Sequence, residues 1–237
     1  MYLAQLHHKL AVGADHQEDL LTSNALGVWR YLPNYRGLKE LLNTAVTESG
    51  EPIAIPNSYE VVSVDFWPAL EVGDGRSIET DVLVTLESPN EGRWLVIVEV
   101  KYKSPKSSDP TNRGPVEDQL GKQLLALRFL RDTSTGDRYS VIYLTEHSSV
   151  PRREIIESLT ELSTKIGIDA SLDLGWIPWA FAARELDAVY GEFSDAPWLQ
   201  NLVSDSSRIL SQSGIRWFDG IKPFGRLNIQ NYWSFCK

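Results

Sequence analysis

The chain has 237 residues, 42% hydrophobic and 23% charged, an ordinary globular balance with length enough for a real core. Its 32 acidic and 23 basic side chains give a net charge of −9, which argues against strong indiscriminate binding to nucleic acid. The single cysteine, Cys236, excludes a disulfide framework, and no stretch approaches the ~18 apolar residues of a membrane helix.

The opening MYLAQLHHKLAVGAD has no long apolar run after a basic start, so no signal peptide is expected and the cytoplasm is the expected compartment. QEDLLTSNALGVWRYL, residues 17–32, carries Leu20, Leu21, Ala25, Val28, Trp29 and Leu32 near helical spacing, and Pro33 stops it. YRGLKELLNTAV is a second predicted helix. YEVVSVDFWPAL, 59–70, is β-rich and breaks near Pro68. After the turn GDG, IETDVLVTLES (78–88) and RWLVIVEVKY (93–102) are predicted strands, with PNEG as the hairpin turn between them.

The Ser-, Pro- and Gly-rich KSPKSSDPTNRGP reads as a loop. VEDQLGKQLLALRFLRD follows as an amphipathic helix. RYSVIYLTE is a predicted strand, PRREIIESLTELSTKI a helix and LDLGWIPWAFA another strand. From about Arg184 the pattern is mainly helical and ends in the aromatic GIRWFDGIKPFGRLNIQNYWSFCK. The expected class is α/β, one mixed sheet flanked by helices. Residues 1–183 would form the main domain, with 184–237 as a helical, aromatic-rich extension packed on it.

The strand at 93–101 is unusual. Side chains alternate along a strand, so Trp94, Val96, Val98 and Val100 share one face, and Leu95, Ile97, Glu99 and Lys101 the other. Glu99 and Lys101 are then neighbours about 7 Å apart, at the end where an apolar strand emerges. Asp81 and Glu99 are about equally far from the hairpin turn, so antiparallel pairing brings them together. Two carboxylates supply oxygen ligands for a hard cation such as Mg²⁺. An ammonium beside them can orient a water or meet developing negative charge. In outline this is a phosphodiester-hydrolysis site.

Asp81 followed by EVK at 99–101 after an apolar strand resembles the PD-(D/E)xK nuclease superfamily, with its restriction-endonuclease-like fold. The resemblance spans about residues 17–145 and includes the order helix, three strands, helix, strand (αβββαβ). A family glutamate on the first core helix is matched by Glu18, and a glutamine on the helix after the third strand by Gln119, with Gln123 one turn later as its rival. Thr80 stands where the family has proline before the aspartate, with Glu79 as its substitute. The wider layout, including EDLLTSNALGVWRYLP and GWIPWAFA, looks like nucleases found among bacterial defence genes.

The resemblance implies that Asp81 and Glu99, with the Val100 carbonyl and Glu18, bind Mg²⁺ or Mn²⁺. Lys101 would act on the attacking water, and Gln119 would position Lys101 or a phosphate. DNA is the implied substrate. A partner protein or a homodimer would direct the acidic chain to it, with no membrane involved. The plainer readings are an edge-strand ion pair for EVK, a helix-dipole acid for Glu18 and a surface acid for Asp118. His7, His8 and His16 match no usual zinc spacing. Trp176, Trp179, Trp198, Trp217 and Trp233 are read as core or interface before base stacking. Lys103 and Lys106 serve either solubility or phosphate contact. The rival functions are a non-catalytic binding subunit that keeps the fold and, more remotely, a carboxylate-pair glycosidase.

Overall fold

A computed structural model describes residues 16–71, 76–104, 116–132, 137–171 and 173–217. Apolar, β-branched runs form the strands β1 (Glu60–Phe66), β2 (Ala69–Glu71), β3 (Ser77–Glu79), β4 (Val82–Ser88), β5 (Gly92–Val100), β6 (Arg138–Thr145) and β7 (Leu174–Pro178). Five of them make one sheet in the order β1-β4-β5-β6-β7, and β2 and β3 make a separate hairpin. β1, β4 and β5 pair antiparallel; β5, β6 and β7 pair parallel. The antiparallel part needs only tight connections. The parallel part needs crossovers, supplied by helices Gln119–Asp132 and Arg152–Ile166.

In chain order the α-helices are α1 (His16–Leu21), α2 (Leu38–Leu42), α3 (Gln119–Asp132), α4 (Arg152–Ile166), α5 (Trp179–Tyr190) and α6 (Pro197–Gln212). The strand alternation sorts the core into two layers. Trp94, Val96, Val98 and Val100 pack with Leu21 and Trp29, Leu42 of α2, Leu186 of α5 and Val203 of α6. Leu95 and Ile97 pack on the other face with Leu124 and Leu127 of α3 and Ile155 and Leu162 of α4. Each fully buried aliphatic side chain stabilises the fold by roughly 1.5–3 kcal/mol, so both faces of β5 are strongly committed. The result is an α/β fold with a mixed sheet between helical layers. Among the described residues no helix is long and apolar enough to cross a membrane.

Four details differ from expectation. The run 78–88 is two strands, interrupted at Thr80 and Asp81. The cause lies opposite it. Pro68 has no N–H for the ladder, and Trp67 takes φ 50°, so the chain leaves the sheet as the β2–β3 hairpin. Trp67 N–H donates to the Asp81 carbonyl at 2.9 Å, and Thr80 N–H to the Pro68 carbonyl at 3.2 Å, closing its base. The run 172–182 is a strand only to Pro178; the buried Trp179, Ala182, Ala183, Leu186 and Val189 that follow have helical spacing and form α5. The boundary expected at 183/184 therefore falls inside a continuous helix. The helix expected over 17–32 is α1 followed by a π-turn (Thr22–Leu26) and a 3₁₀ turn (Gly27–Tyr31). There the Ser206 hydroxyl donates to the Asn24 carbonyl at 3.0 Å, drawing an acceptor out of the regular ladder.

The outer strand β1 carries a bulge between Val61 and Ser63. The bulged Val62 is 43% exposed, and its carbonyl accepts the Tyr35 hydroxyl at 3.0 Å. At the opposite edge, Val46 exchanges both backbone hydrogen bonds with Trp176 of β7, at 3.1 and 2.8 Å.

Candidate active site

The antiparallel register pairs Val82 with Val98. One step further places Asp81, immediately before β4, opposite Glu99 near the end of β5. Asp81 Oδ2 accepts the Val100 N–H at 2.7 Å, which pins the carboxylate to the strand end. On its other side β5 is paired with β6, Glu99 with Tyr143. Strands on both flanks and α3 above leave Glu99 only 1% exposed. Burying a carboxylate costs several kcal/mol unless it is paired. Here the Lys101 ammonium donates to Glu99 Oε1 at 2.8 Å, and Gln123 Nε2 of α3 donates to Glu99 Oε2.

Lys101 gathers the remaining groups. Its ammonium also donates to Glu18 Oε1 of α1 at 3.0 Å and to the Val100 carbonyl at 3.1 Å. Glu18 Oε2 accepts the Tyr102 N–H at 3.1 Å and the Ser104 hydroxyl, so α1 is fastened to the chain leaving β5. Trp179, at the start of α5, donates its indole N–H to the Lys101 carbonyl at 3.3 Å. Tyr143, beside Glu99, donates its hydroxyl to Glu154 Oε2 of α4 at 2.7 Å.

Asp81, Glu99 and Lys101 titrate abnormally. Burial pushes the Asp81 carboxyl well above the usual carboxylate range; the Glu99 charge adds to this, and Lys101 and the Val100 N–H oppose it. Burial likewise raises Glu99, against the pull of Lys101 and Gln123. Burial alone would lower the Lys101 ammonium, but Glu99, Asp81 and Glu18 outweigh it and hold the group above its ordinary value. Burial, then the bond to Glu154, raises the Tyr143 phenol.

Glu18, Asp81, Glu99, Lys101 and the Val100 carbonyl thus lie together. Gln119 is the first residue of α3 and half-buried, and Gln123 reaches Glu99. Residues four apart share a helix face, so the same pattern allowed either; one further turn brings the amide over the strand. Gln123 Oε1 is buried with no hydrogen-bond partner. Asp118 is buried, not superficial: its Oδ1 accepts the Gly121 N–H at 3.0 Å and caps α3. An acid just before a periodic apolar run is a readable cap signal. Glu79 is exposed on β3. Nothing in the sequence marked Tyr143 or Ser104, and Trp179, read as core or interface, is buried and also bonds the Lys101 carbonyl.

Of the tryptophans, Trp176 and Trp179 are buried, Trp198 is exposed, and Trp217 packs edge-on against Phe181 with 5.2 Å between ring centroids. Lys103 is exposed, with its ammonium 4.9 Å from the Tyr102 ring centroid. His7, His8, Lys106, Trp233 and Cys236 lie outside the described residues. His16 opens α1.

Among the described residues no three His, Cys, Asp or Glu side chains stand grouped to hold a metal ion. Within this cluster the Lys101 ammonium sits among Glu18, Glu99 and the Val100 carbonyl, at 2.8–3.1 Å from each. The donor chemistry still fits a hard divalent cation. All three are oxygens, and they already converge on one positive centre. The second oxygen of Asp81 takes no hydrogen bond from a described residue. Comparison with protein-family models, with curated proteins and with solved structures gives no match for this chain.

Proposed function

We propose that the chain is a metal-dependent nuclease of the PD-(D/E)xK type, with a restriction-endonuclease-like core, hydrolysing phosphodiester bonds in DNA. A place as a subunit of a bacterial defence system is part of the same reading. One observation carries it: Glu18, Asp81, Glu99 and Lys101, from three separate parts of the sequence, converge at one strand end, with the ionisation of Asp81, Glu99 and Lys101 perturbed. Buried carboxylates gathered around one base are costly to a fold and are a feature of reactive sites.

Asp81, Glu99, Glu18 and the Val100 carbonyl would hold Mg²⁺ or Mn²⁺. Bound there, the metal would neutralise phosphate charge and lower the pKa of a coordinated water. The protein supplies the frame. The Val100 N–H fixes Asp81, Gln123 fixes Glu99, and Tyr102 and Ser104 fix Glu18. The Lys101 ammonium is the donor for the attacking water or for charge developing on the phosphate. Purified protein should cleave DNA with Mg²⁺ or Mn²⁺ and lose that activity in Asp81→Ala and Lys101→Ala. Wild-type rates in either variant would refute the assignment.

A second reading is a non-catalytic subunit that binds a partner protein. The observation favouring it is a groove between the 3₁₀ turn and α6, where Tyr31 is 50% and Trp198 64% exposed beside Val28 and Leu202. Absence of cleavage on DNA and RNA with either metal would favour it.

A further inference from the structure

An ammonium has three N–H donors and no acceptor. All three of Lys101's are spent, on Glu99 Oε1 at 2.8 Å, Glu18 Oε1 at 3.0 Å and the Val100 carbonyl at 3.1 Å. The side chain is only 9% exposed. In this arrangement Lys101 can neither orient a water nor touch a phosphate oxygen. The group expected to act on the reaction is locked into the oxygens expected to hold the metal.

The oxygens do not depend on the lysine for their positions. Glu18 is also held through Oε2 by the Tyr102 N–H and Ser104, and Glu99 through Oε2 by Gln123. The Val100 carbonyl is fixed by the strand, because its neighbouring Lys101 N–H donates to the Leu144 carbonyl at 2.9 Å. Asp81 rests on the Val100 N–H. The cage therefore has anchors that outlast the ammonium. Lys101, by contrast, hangs on a flexible four-carbon stem. With Glu18 and Glu99 in contact with one monovalent cation and Asp81 near enough to act on its charge, a divalent cation is the better match in charge, and the two cannot occupy one centre together.

We propose that Lys101 is a built-in counter-ion, filling the cation site until a divalent metal displaces it. Metal binding and release of Lys101 are then one exchange. The ammonium becomes available to water and phosphate only after its oxygens have been taken over. Lys101 weakens metal binding and is set free by it. This inference rests on the nuclease reading for the identity of the metal, and it concerns binding rather than turnover.

The test uses the full chain without nucleic acid. Calorimetric titration with Mn²⁺ should show Lys101→Met binding at least tenfold more tightly than wild type. In wild type, acylation of the Lys101 amine, read by peptide mass spectrometry, should be slow without metal and at least fivefold faster with saturating Mn²⁺ or Ca²⁺. Equal or weaker binding by Lys101→Met, with acylation unchanged by metal, would overturn the exchange and leave the metal-nuclease reading standing. If wild type and variant both fail to bind Mn²⁺ at millimolar concentration, the nuclease reading falls and this inference with it. Should the variant not fold, the wild-type acylation result decides alone.

Discussion

Strand β5 carries ion pairs at both ends, and they are built on opposite plans. At its start, Arg93 grips Asp137 with Nη2 to Oδ2 at 2.7 Å and Nε to Oδ2 at 3.1 Å, and the Arg93 side chain is 46% exposed. A base meets an acid, and water reaches the arginine while Asp137 is 9% exposed. At its end, one base pairs with two acids, Glu18 and Glu99, with the charge of Asp81 close by, and Glu99 and Lys101 are buried. The first arrangement answers a buried acid with a partly exposed base. The second concentrates unbalanced charge where it costs most. A strand end that served packing alone would follow the first plan at both ends.

The largest expected effect separates the two ends. Lys101→Ala should abolish cleavage and destabilise the fold by about 3–5 kcal/mol, because it strands buried carboxylates. Both are read by a metal-supplemented DNA assay and by urea denaturation. Asp81→Asn should also abolish cleavage but shift stability the other way. Burial raises the folded carboxyl pKa above the unfolded value, near 3.9. Its favourable contribution is present below about pH 4 and is lost as pH rises through the folded value. At neutral pH the charged group is therefore a cost that asparagine removes. Thermal melts should show a higher Tm, by about 2–4 °C for each kcal/mol gained, and the gain should shrink toward acid pH.

A smaller effect tests which glutamine belongs to the site. Gln123→Ala should reduce cleavage about 10–100-fold, as loss of a ligand's hydrogen-bond partner typically does. Gln119→Ala should stay within about 0.5 kcal/mol of wild type in stability and keep its rate. At the far end, Arg93→Ala should cost about 1–3 kcal/mol, because it leaves the buried Asp137 without its side-chain partner, with cleavage unchanged. An Arg93→Ala effect on cleavage as large as that of Gln123→Ala would erase the distinction between the two ends.

The meeting of Asp81, Glu99 and Lys101 was legible because it follows from two short-range rules, alternation along a strand and equal distance from a hairpin turn. The sorting of Trp94, Val96, Val98 and Val100 from Leu95 and Ile97 came from the first rule alone. Glu18 needed the resemblance, since no local rule links α1 to β5 across eighty residues. Gln123 was ambiguous because helical periodicity cannot distinguish positions one turn apart until the helix is seated. The β2–β3 hairpin was hidden inside an apparently continuous strand, for Trp67's backbone conformation leaves no mark in the side-chain pattern. WAFA misled because a short apolar run suits a buried strand and a buried helix equally.

The bulge at Val62 bears on how this protein meets its own kind. An unbroken outer strand offers a row of free amide and carbonyl groups on which a stranger's strand can grow. Here the ladder is thrown out of step at Val62, and that residue's carbonyl is already taken by the Tyr35 hydroxyl. Val46 closes part of the opposite edge through Trp176. The sheet is thus poorly suited to fibrous stacking or to a dimer joined by a continuous intermolecular sheet. Association of copies through these two edges would rest on side chains more than on backbone.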